Sequence, residues 1–178
     1  MALRKALAYS HMKARPYTRK SSVKSKSYIK AVPPQKITKF KMGDMHGYEE
    51  GKLKYIVKVV ADGKVMIRDN AIEAARQFIH KILDEHYNGL YYFEVKVAPH
   101  HILRENKMLT GAGADRMQTG MQLSFGATIG RAAQLKAGQP IFLIALTSDK
   151  ARRVTAHACM QTKAKFPGHI RLEMVDLK

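Results

Sequence analysis

The sequence predicts an α+β domain, with a mixed or antiparallel sheet and two packed helices, preceded by an extended basic N-terminal tail. Three observations support this class. Short stretches of alternating apolar and polar residues recur between turns that contain glycine or proline. Two longer stretches have helical spacing but do not alternate regularly with the strands. The first 43 residues contain twelve Lys or Arg and no Asp or Glu.

Composition favours one folded domain with a tail, which we assign to residues 35–178 and 1–34. The chain has 178 residues, of which 46% are hydrophobic. It has no run of about twenty apolar residues, as a membrane span requires. Its N-terminus lacks the continuous apolar segment of a secretory signal. The single Cys159 excludes an internal disulfide and suits a reducing, intracellular setting.

The charge pattern of the tail predicts a nucleic-acid partner. Twelve of the net 18 positive charges lie in the first quarter of the chain. Such a segment repels itself until a polyanion binds and releases its counterions. A solvated tail and a patch for anionic membranes are the alternatives, but no amphipathic anchor or lipidation motif accompanies the charge. Pro16, Pro33 and Pro34 favour an extended backbone, and the rings of Tyr9, Tyr17 and Tyr28 are suited to base stacking.

The first half of the domain predicts strands followed by a long helix. Ile37 alternates with polar neighbours in KITKFKM, which indicates a short strand, and MGDMHGYEEG is rich in turn residues. LKYIVKVVADGKVMIR predicts a hairpin that turns at Asp62-Gly63. A helix capped by Asn70, with Glu73 completing a capping box, ends at Asn88-Gly89. Its predicted buried stripe excludes Glu73 and Arg76 and consists of Ile72, Ala75, Ile79, Ile82 and Leu83.

The second half predicts three or four strands and one further helix. LYYFEVKVAP alternates as a half-buried strand does, and MQLSFG alternates again. IFLIALT, after a turn at Ala137-Gly138-Gln139-Pro140, reads as a fully buried strand. Ser148 is the predicted cap of a helix reaching about Lys165, and HIRLEMVD is the last strand. The stripe expected to be buried on this helix is Ala151, Val154, Ala158 and Cys159.

Tests for catalytic chemistry give no positive result. In GAGADRMQTGM a dinucleotide-binding fingerprint that starts at Gly111 would need glycine where Arg116 stands, and no phosphate-binding P-loop spacing occurs. His100 and His101 are adjacent and therefore face different ways, while His157 and Cys159 do not share a helix face. We therefore predict no catalytic residue, no cofactor and no metal site.

Residues 98–121 form the most distinctive stretch of the domain. The stretch interrupts two strand patterns, contains three glycines and carries the basic residues Arg104, Lys107 and Arg116. Loops of this length in a compact domain are usually functional or disordered. A surface excursion without function is one interpretation. The other is a loop that orders against RNA, in which the cations neutralise phosphates and the glycines allow a close backbone approach.

Three stretches carry a resemblance to a known family. RPYTRKSSVKSKSYIKAVPP, NAIEAARQFIHKIL and PHHILRENKMLTGAGADRMQTGM together resemble the universal large-subunit ribosomal protein family that is numbered sixteen in bacteria and ten-e in archaea. The resemblance covers nearly the whole chain, and its central block is long and specific. The chain lacks the longer C-terminal extension of eukaryotic members, so it resembles an archaeal member.

The resemblance implies a fold, a location and a set of partners. The family fold is an α/β hammerhead that binds large-subunit ribosomal RNA near the aminoacyl-tRNA site and joins late in assembly. The implied location is cytoplasmic, in the large subunit, beside neighbouring ribosomal proteins and with assembly factors as further partners. The loop that matches residues 101–120 would reach the acceptor end of tRNA near the peptidyl-transferase centre. Because peptide transfer is catalysed by RNA, the protein would support the placement of tRNA and would have no catalytic side chain of its own.

The resemblance also implies two groups of site residues. The expected ribosomal-RNA contacts are Arg4, Lys5, Lys13, Arg15, Tyr17, Arg19, Lys20, Lys24, Lys26, Tyr28 and Lys30. The expected tRNA-proximal positions are His101, Arg104, Glu105, Asn106, Lys107, Gly111, Gly113 and Arg116. Two other functions stay open at this point: an RNA-modifying enzyme with its active site in residues 98–121, and a free assembly or translation factor that cycles on and off the ribosome.

Overall fold

The apolar stretches of this chain pair into two antiparallel sheets, covered by helices. The structure, a computed structural model, describes residues 9, 12, 15–18, 21–26, 28–105 and 126–177. In chain order its elements are β1 (Lys41–Gly43), α1 (Met45–Glu49), β2 (Tyr55–Ala61), β3 (Val65–Arg68), α2 (Asp69–Tyr87), β4 (Tyr91–Val95), β5 (His101–Glu105), β6 (Ala127–Leu135), β7 (Pro140–Leu146), α3 (Asp149–Gln161) and β8 (Ile170–Asp176). The α+β prediction is confirmed, with the short helix α1 added to the two predicted helices.

The strands are divided unequally between the two sheets. The larger sheet has the order β1-β4-β7-β2-β8, and the smaller sheet has the order β3-β6-β5. The pairings among the described residues are all antiparallel. In the larger sheet the central strand β7 places Ile144 opposite both Val57 of β2 and Phe93 of β4. This explains why β7 is an unbroken apolar run, as predicted: both of its edges are paired and its side chains are buried on both faces.

The predicted hairpin at Asp62-Gly63 is wrong, although both of its strands exist. β2 is paired with β7 on one edge and with β8 on the other, so no edge is left for β3. β3 pairs with β6 in the smaller sheet instead. Gly63 is not among the glycines with positive φ that a two-residue hairpin turn would use. The chain at Asp62-Gly63 therefore crosses from one sheet to the other.

The main core lies between the larger sheet and the two long helices. The rings of Phe93 and Phe142 meet edge to face there, with centroids 5.4 Å apart. The predicted stripe of α2 is buried except for Ile82, which is half-buried. On α3 the buried positions are Ala151, Thr155, Ala158 and Cys159, so Thr155 takes the place predicted for Val154. Ser148 caps α3 as predicted by accepting a hydrogen bond from the amide of Ala151.

A second apolar cluster covers the opposite face of the larger sheet. Asp44 caps α1 through the amide of Gly47, at 2.8 Å, and the helix brings Tyr48 onto Tyr92 with ring centroids 4.4 Å apart. Leu53, Ile56, Leu143 and Ala145 complete the cluster. Strand β4 was predicted to be half-buried, but Tyr92 is only 3% exposed because α1 and the chain that follows it shield that face.

Gly43 permits the close contact between β1 and β4. Its φ is +83°, and a Cβ at this position would lie 2.1 Å from the carbonyl oxygen of Tyr91. A side chain is therefore excluded both by backbone conformation and by space. The amide of Asp44 donates to the same Tyr91 carbonyl at 2.8 Å, which fixes the start of α1 against β4.

The start of α2 differs from the predicted capping box. The helix begins at Asp69, and the N-cap residue Arg68 makes no side-chain capping bond. Glu73 is 7% exposed and forms two hydrogen bonds with Arg76, which is 6% exposed, at 2.6 and 2.8 Å. These two charged residues, which were predicted to point away from the core, form a buried ion pair.

The buried pair also holds the chain that leads into β1. Arg76 donates to the Met42 sulfur at 3.0 Å and to the Thr38 hydroxyl at 3.2 Å. Thr38 and Gln77 both donate to the Glu73 carboxylate. The hydrogen bonds from Arg76, followed by those from Gln77 and Thr38, lower the pKa of Glu73 against the opposing effect of burial. Glu73 therefore stays ionised inside the domain and connects α2 to the segment before β1.

We predict that Glu73→Gln destabilises the protein by about 3–5 kcal/mol, because it leaves the Arg76 charge buried without a counterion. The free energy of unfolding should be measured by urea denaturation at several pH values. Since folding lowers the pKa of Glu73, its contribution is complete above the unfolded value of about 4.5 and is lost as the pH falls through the folded value. The stability gap between wild type and variant should therefore narrow in acid.

An exposed ion pair provides the matched control. Arg153 pairs with Asp149 on the surface of α3, with its side chain 80% exposed. Arg153→Ala should change the free energy of unfolding by less than about 0.5 kcal/mol. Equal losses for Glu73→Gln and Arg153→Ala would show that the buried pair has no special role in the stability of the domain.

Candidate nucleic-acid interface

The N-terminal arm, defined as the described residues from Tyr9 to Ile37, is attached to the smaller sheet. The amide of Tyr17 donates to Nδ1 of His101 at 2.8 Å, and the amide of Ile102 donates to the Tyr17 carbonyl at 3.0 Å. Because β5 is an edge strand of the smaller sheet, these bonds use an edge that would otherwise be open. Nδ1 of His101 can accept this bond only while it carries no proton.

Two tyrosines of the arm hold the end of β5. Arg104 lies over the ring of Tyr17, with its guanidinium carbon 4.0 Å from the ring centroid. The Tyr9 hydroxyl donates to the Glu105 carboxylate at 2.7 Å, and Arg68 lies 5.2 Å from the centroid of the Tyr9 ring. Cation–π contacts such as those of Arg104 and Arg68 contribute about 0.5–2 kcal/mol each, depending on their exposure. One face of the Tyr17 ring, which was expected to stack on a base, is therefore covered by the protein itself.

The arm also completes a small core. Met66, Leu103 and Ala132 are buried in the smaller sheet, and Tyr9 and Met12 of the arm pack against them. Further along the arm, Ile29 is only 4% exposed. The boundary at residue 34 and the extended RNA-binding tail remain predictions. At Tyr9, Met12 and Ile29 the structure packs apolar residues of this segment on the domain.

Polar contacts fix the C-terminal part of the arm. Thr128 and Arg131 of β6 donate to the carbonyls of Ala31 and Pro33, both at 2.7 Å. The amide of Lys36 donates to the Asp69 carboxylate at 3.0 Å. Burial raises the pKa of Asp69, and the amide donors act in the opposite direction. The arm is therefore bonded to both strands and helix before it enters β1.

The attachment leaves basic side chains on the outside. Arg15, Lys26 and Lys30 are exposed, Lys26 lies in a short 3-10 turn, and Tyr28 is 65% exposed. The remaining predicted contacts of the tail lie outside the described residues: Arg4, Lys5, Lys13, Arg19, Lys20 and the side chain of Lys24. Of the predicted set, the described structure thus brings exposed cations and one exposed aromatic ring together on the arm.

The structure revises the start of the predicted 98–121 loop. His101, Arg104 and Glu105 lie on β5, which pairs with β6, so the strand replaces the loop at residues 101–105. The last pair in this register joins Glu105 to Ala127. Most of the predicted strand MQLSFG lies outside the described residues. The other predicted tRNA-proximal positions also lie outside them: Asn106, Lys107, Gly111, Gly113 and Arg116. β5 ends at Glu105 and β6 begins at Ala127.

Sequence reasoning missed several residues that build this surface. Strand β6 was not predicted, because Gly130 and its alanines give almost no alternation. Arg131 was therefore not predicted to have a structural role, although its side chain donates a hydrogen bond to the Pro33 carbonyl. The backbone partnership between Tyr17 and His101 has no signature in either local sequence, since it joins residues 84 positions apart. A polar residue that contacts distant backbone can be found only in three dimensions.

The surface offers no metal chemistry in the described part of the chain. No group of three or more His, Cys, Asp or Glu among those residues could hold a metal ion. Cys159 is buried, and burial raises the pKa of its thiol to about 12. No helix within the described ranges combines the length and the apolar character that crossing a bilayer would demand.

We predict that Tyr17→Ala loosens the arm and speeds hydrogen exchange at the Ile102 amide by roughly three- to thirtyfold. The change removes the ring beneath Arg104, and the Ile102 amide bonds to the carbonyl of residue 17. Exchange should be followed by NMR under native conditions. Tyr28→Ala is the control, because Tyr28 is 65% exposed, and it should leave Ile102 protected. Unchanged protection in Tyr17→Ala would mean that the arm does not depend on this contact.

Comparison with known proteins connects this geometry to a family. Three archaeal relatives are each named large ribosomal subunit protein uL16. That of Hyperthermus butylicus is 41% identical over 164 residues, covering 92% of this chain and 85% of the relative. That of Thermofilum pendens is 41% identical over 180 residues, covering 99% and 100%. That of Methanococcus maripaludis is 42% identical over 151 residues, covering 84% and 82%.

The match to the family extends beyond the three stretches that first suggested it. The profile of the family described as ribosomal protein L16p/L10e matches residues 12–173, which include the arm from Met12 onward, every helix described above, strands β1 to β7 and the start of β8. This confirms the resemblance inferred from the sequence. It also supports a structural component over the RNA-modifying enzyme that was left open. The chain belongs to the ribosomal protein L16p/L10e family.

Proposed function

We propose that this chain is a structural constituent of the large ribosomal subunit in the cytoplasm and that its N-terminal arm binds ribosomal RNA. Relatives over most of its length carry the name of a large-subunit protein. The observation that carries the proposal is the construction of the arm. Backbone bonds and buried apolar residues hold it on β5 and β6, while Arg15, Lys26 and Lys30 remain exposed.

An arm fixed in this way is suited to a polyanion. Cations on a segment that is already ordered lose less conformational freedom on binding than cations on a free tail. Each phosphate contact releases condensed counterions, so binding is strong at low salt and weakens steeply as salt rises. The exposed ring of Tyr28 offers a platform for one unstacked base. Recognition of this kind depends on RNA shape more than on sequence.

The same surface supports a role near tRNA. Residues 106–125 connect Glu105, the last residue of β5, to the chain that enters β6 at Ala127, and Glu105 and Ala127 are paired. The base of this segment is therefore narrow, and the arm holds Arg104 and Glu105 through Tyr17 and Tyr9. We propose that this base supports the segment as it extends to the acceptor end of tRNA. The protein then contributes position and electrostatics, without a catalytic side chain.

Exchanging Arg15, Lys26 and Lys30 together for Gln should reduce the slope of log K against log salt by about 2–3 for ribosomal-RNA binding. The physical reason is the loss of three phosphate contacts, each worth about 0.7–0.9 of the slope. Filter binding across a salt series measures it. Lys54, Lys64 and Lys150 are exposed cations outside the arm, and their exchange for Gln should leave the slope unchanged. Equal slopes for both triple variants would contradict the role of the arm.

Deleting residues 111–115 should leave incorporation into large subunits largely intact but slow the steps that depend on tRNA. The deletion shortens the segment 106–125 without touching its base on β5 and β6. Sucrose-gradient fractionation after a moderate salt wash measures incorporation, and single-turnover peptide-bond formation measures the tRNA-dependent step. Subunits that carry the deletion and translate normally would remove the tRNA role. Wild-type protein found mainly in the soluble pool would indicate a cycling factor.

A further inference from the structure

A cleft of about 260 Å³ lies between the start of α2 and the 3-10 turn at Thr162–Lys165. Its lining comes from β3, α2, the last residue of the 3-10 turn and the chain just after that turn. None of the lining residues was among the predicted ribosomal-RNA or tRNA contacts. The cleft nevertheless lies beside the arm, since Arg68 lines the cleft and also contacts Tyr9.

Four of the seven residues that line the cleft are apolar. Met66, only 3% exposed, and Pro167 contribute one part of the lining. Ala71 and Ala74 contribute another; they are three positions apart on α2 and therefore share a helix face. Their small side chains leave the space that a larger residue would fill. Small apolar side chains of this kind can pack against a flat aromatic ring.

Two cations stand at the cleft. Arg68 is held over the ring of Tyr9, and the Lys165 ammonium lies 5.7 Å from the centroid of the Phe78 ring. Within the described part of the chain, neither forms an ion pair with a carboxylate. The nearby Asp69 carboxylate accepts from the amides of Lys36 and Asn70. Aromatic contacts therefore position the positive charge at the cleft, and this charge is available to bind an anion.

An amide group adds hydrogen-bonding capacity. Asn70 lines the cleft, and its Oδ1 is buried without a hydrogen-bond partner among the described residues. A side-chain amide offers one acceptor and two donors on adjacent atoms, a pattern that pairs with the polar edge of a nucleobase.

We propose that this cleft binds one unstacked nucleotide of ribosomal RNA. The base lies between the apolar walls, its polar edge meets Asn70, and its phosphate is bound by Arg68 and Lys165. This inference rests on the proposed function, because it assumes that ribosomal RNA reaches the arm. A nucleotide is favoured over a protein side chain because it supplies a flat ring, a hydrogen-bonding edge and an anion together.

Nucleoside 5′-monophosphates test the site directly on the full-length chain. Titration followed by NMR should shift the Asn70 side-chain amide in a saturable way, with weaker binding by inorganic phosphate. Ala74→Leu fills the cleft and should weaken nucleotide binding by at least about tenfold, equivalent to 1.4 kcal/mol. Ala156→Leu, at a half-buried position on α3, should leave it unchanged. Phosphate binding as tight as nucleotide binding, or equal binding by both leucine variants, would overturn base recognition.

Lysine variants test the phosphate contact without changing the walls. Lys165→Gln should weaken nucleotide binding by about three- to tenfold, whereas Lys163→Gln, two residues away in the same 3-10 turn, should have no effect. Circular dichroism of each variant checks that α2 and α3 are intact. Equal effects of the two lysine variants would reduce the cleft to general surface charge and overturn the proposal.

Assembled subunits separate this inference from the proposed function. Subunits containing Ala74→Leu should show raised chemical reactivity at one ribosomal-RNA base when compared with wild type. No such base, with wild-type protein still bound to ribosomal RNA, would overturn the cleft while leaving the proposed function standing. Wild-type protein that ignores ribosomal RNA would overturn both. Crosslinking from position 165 to another protein alone would assign the cleft to a protein partner and also overturn the proposal.

Discussion

The position of the N-terminal arm depends on a buried polar network at the start of α2. Arg76 and Glu73 bind each other and the segment around Thr38 and Met42, while Asp69 binds the amide of Lys36. Moving two charges out of water costs free energy, and apolar residues of similar size often stabilise a core equally well. Here the network also has a directional role, because it fixes where the arm leaves β6 and where β1 joins β4. The network therefore also fixes where the exposed cations of the arm lie.

Acidic and basic residues are used differently in this protein. Most carboxylates of the described residues have a local partner: Asp44 caps α1, Glu94 accepts from Tyr92, and Glu173 pairs with Arg171. These acids act in folding, so their negative charge faces nearby donors. The basic residues outnumber them by 18, and those of the arm have few carboxylates beside them. The outward field of the arm is therefore positive without any need for a separate basic domain.

Local signals in the sequence predicted local structure well. The apolar run of β7, the stripe of α2, the glycine after α2 and the Ser148 cap depend on neighbours within a few positions. Partnerships between distant segments were missed. An Asp-Gly turn looks the same whether the strands around it pair or separate, which is why the hairpin prediction failed. Helical spacing assigned Glu73 and Arg76 to the polar side, because it contains no information about Thr38 and Met42. The attachment of the arm has no periodicity at all.

The arm and the segment 106–125 share one mechanical base. Tyr17 and Tyr9 contact Arg104 and Glu105, the last described residues before that segment, and Ile102 is bonded to the arm through its backbone. A chain segment is ordered most cheaply when its two ends are already held close together. Immobilisation of the arm therefore also restricts Arg104 and Glu105, and through the Glu105–Ala127 pair it restricts the start of β6. We propose that ribosomal-RNA binding and tRNA support both depend on this one attachment.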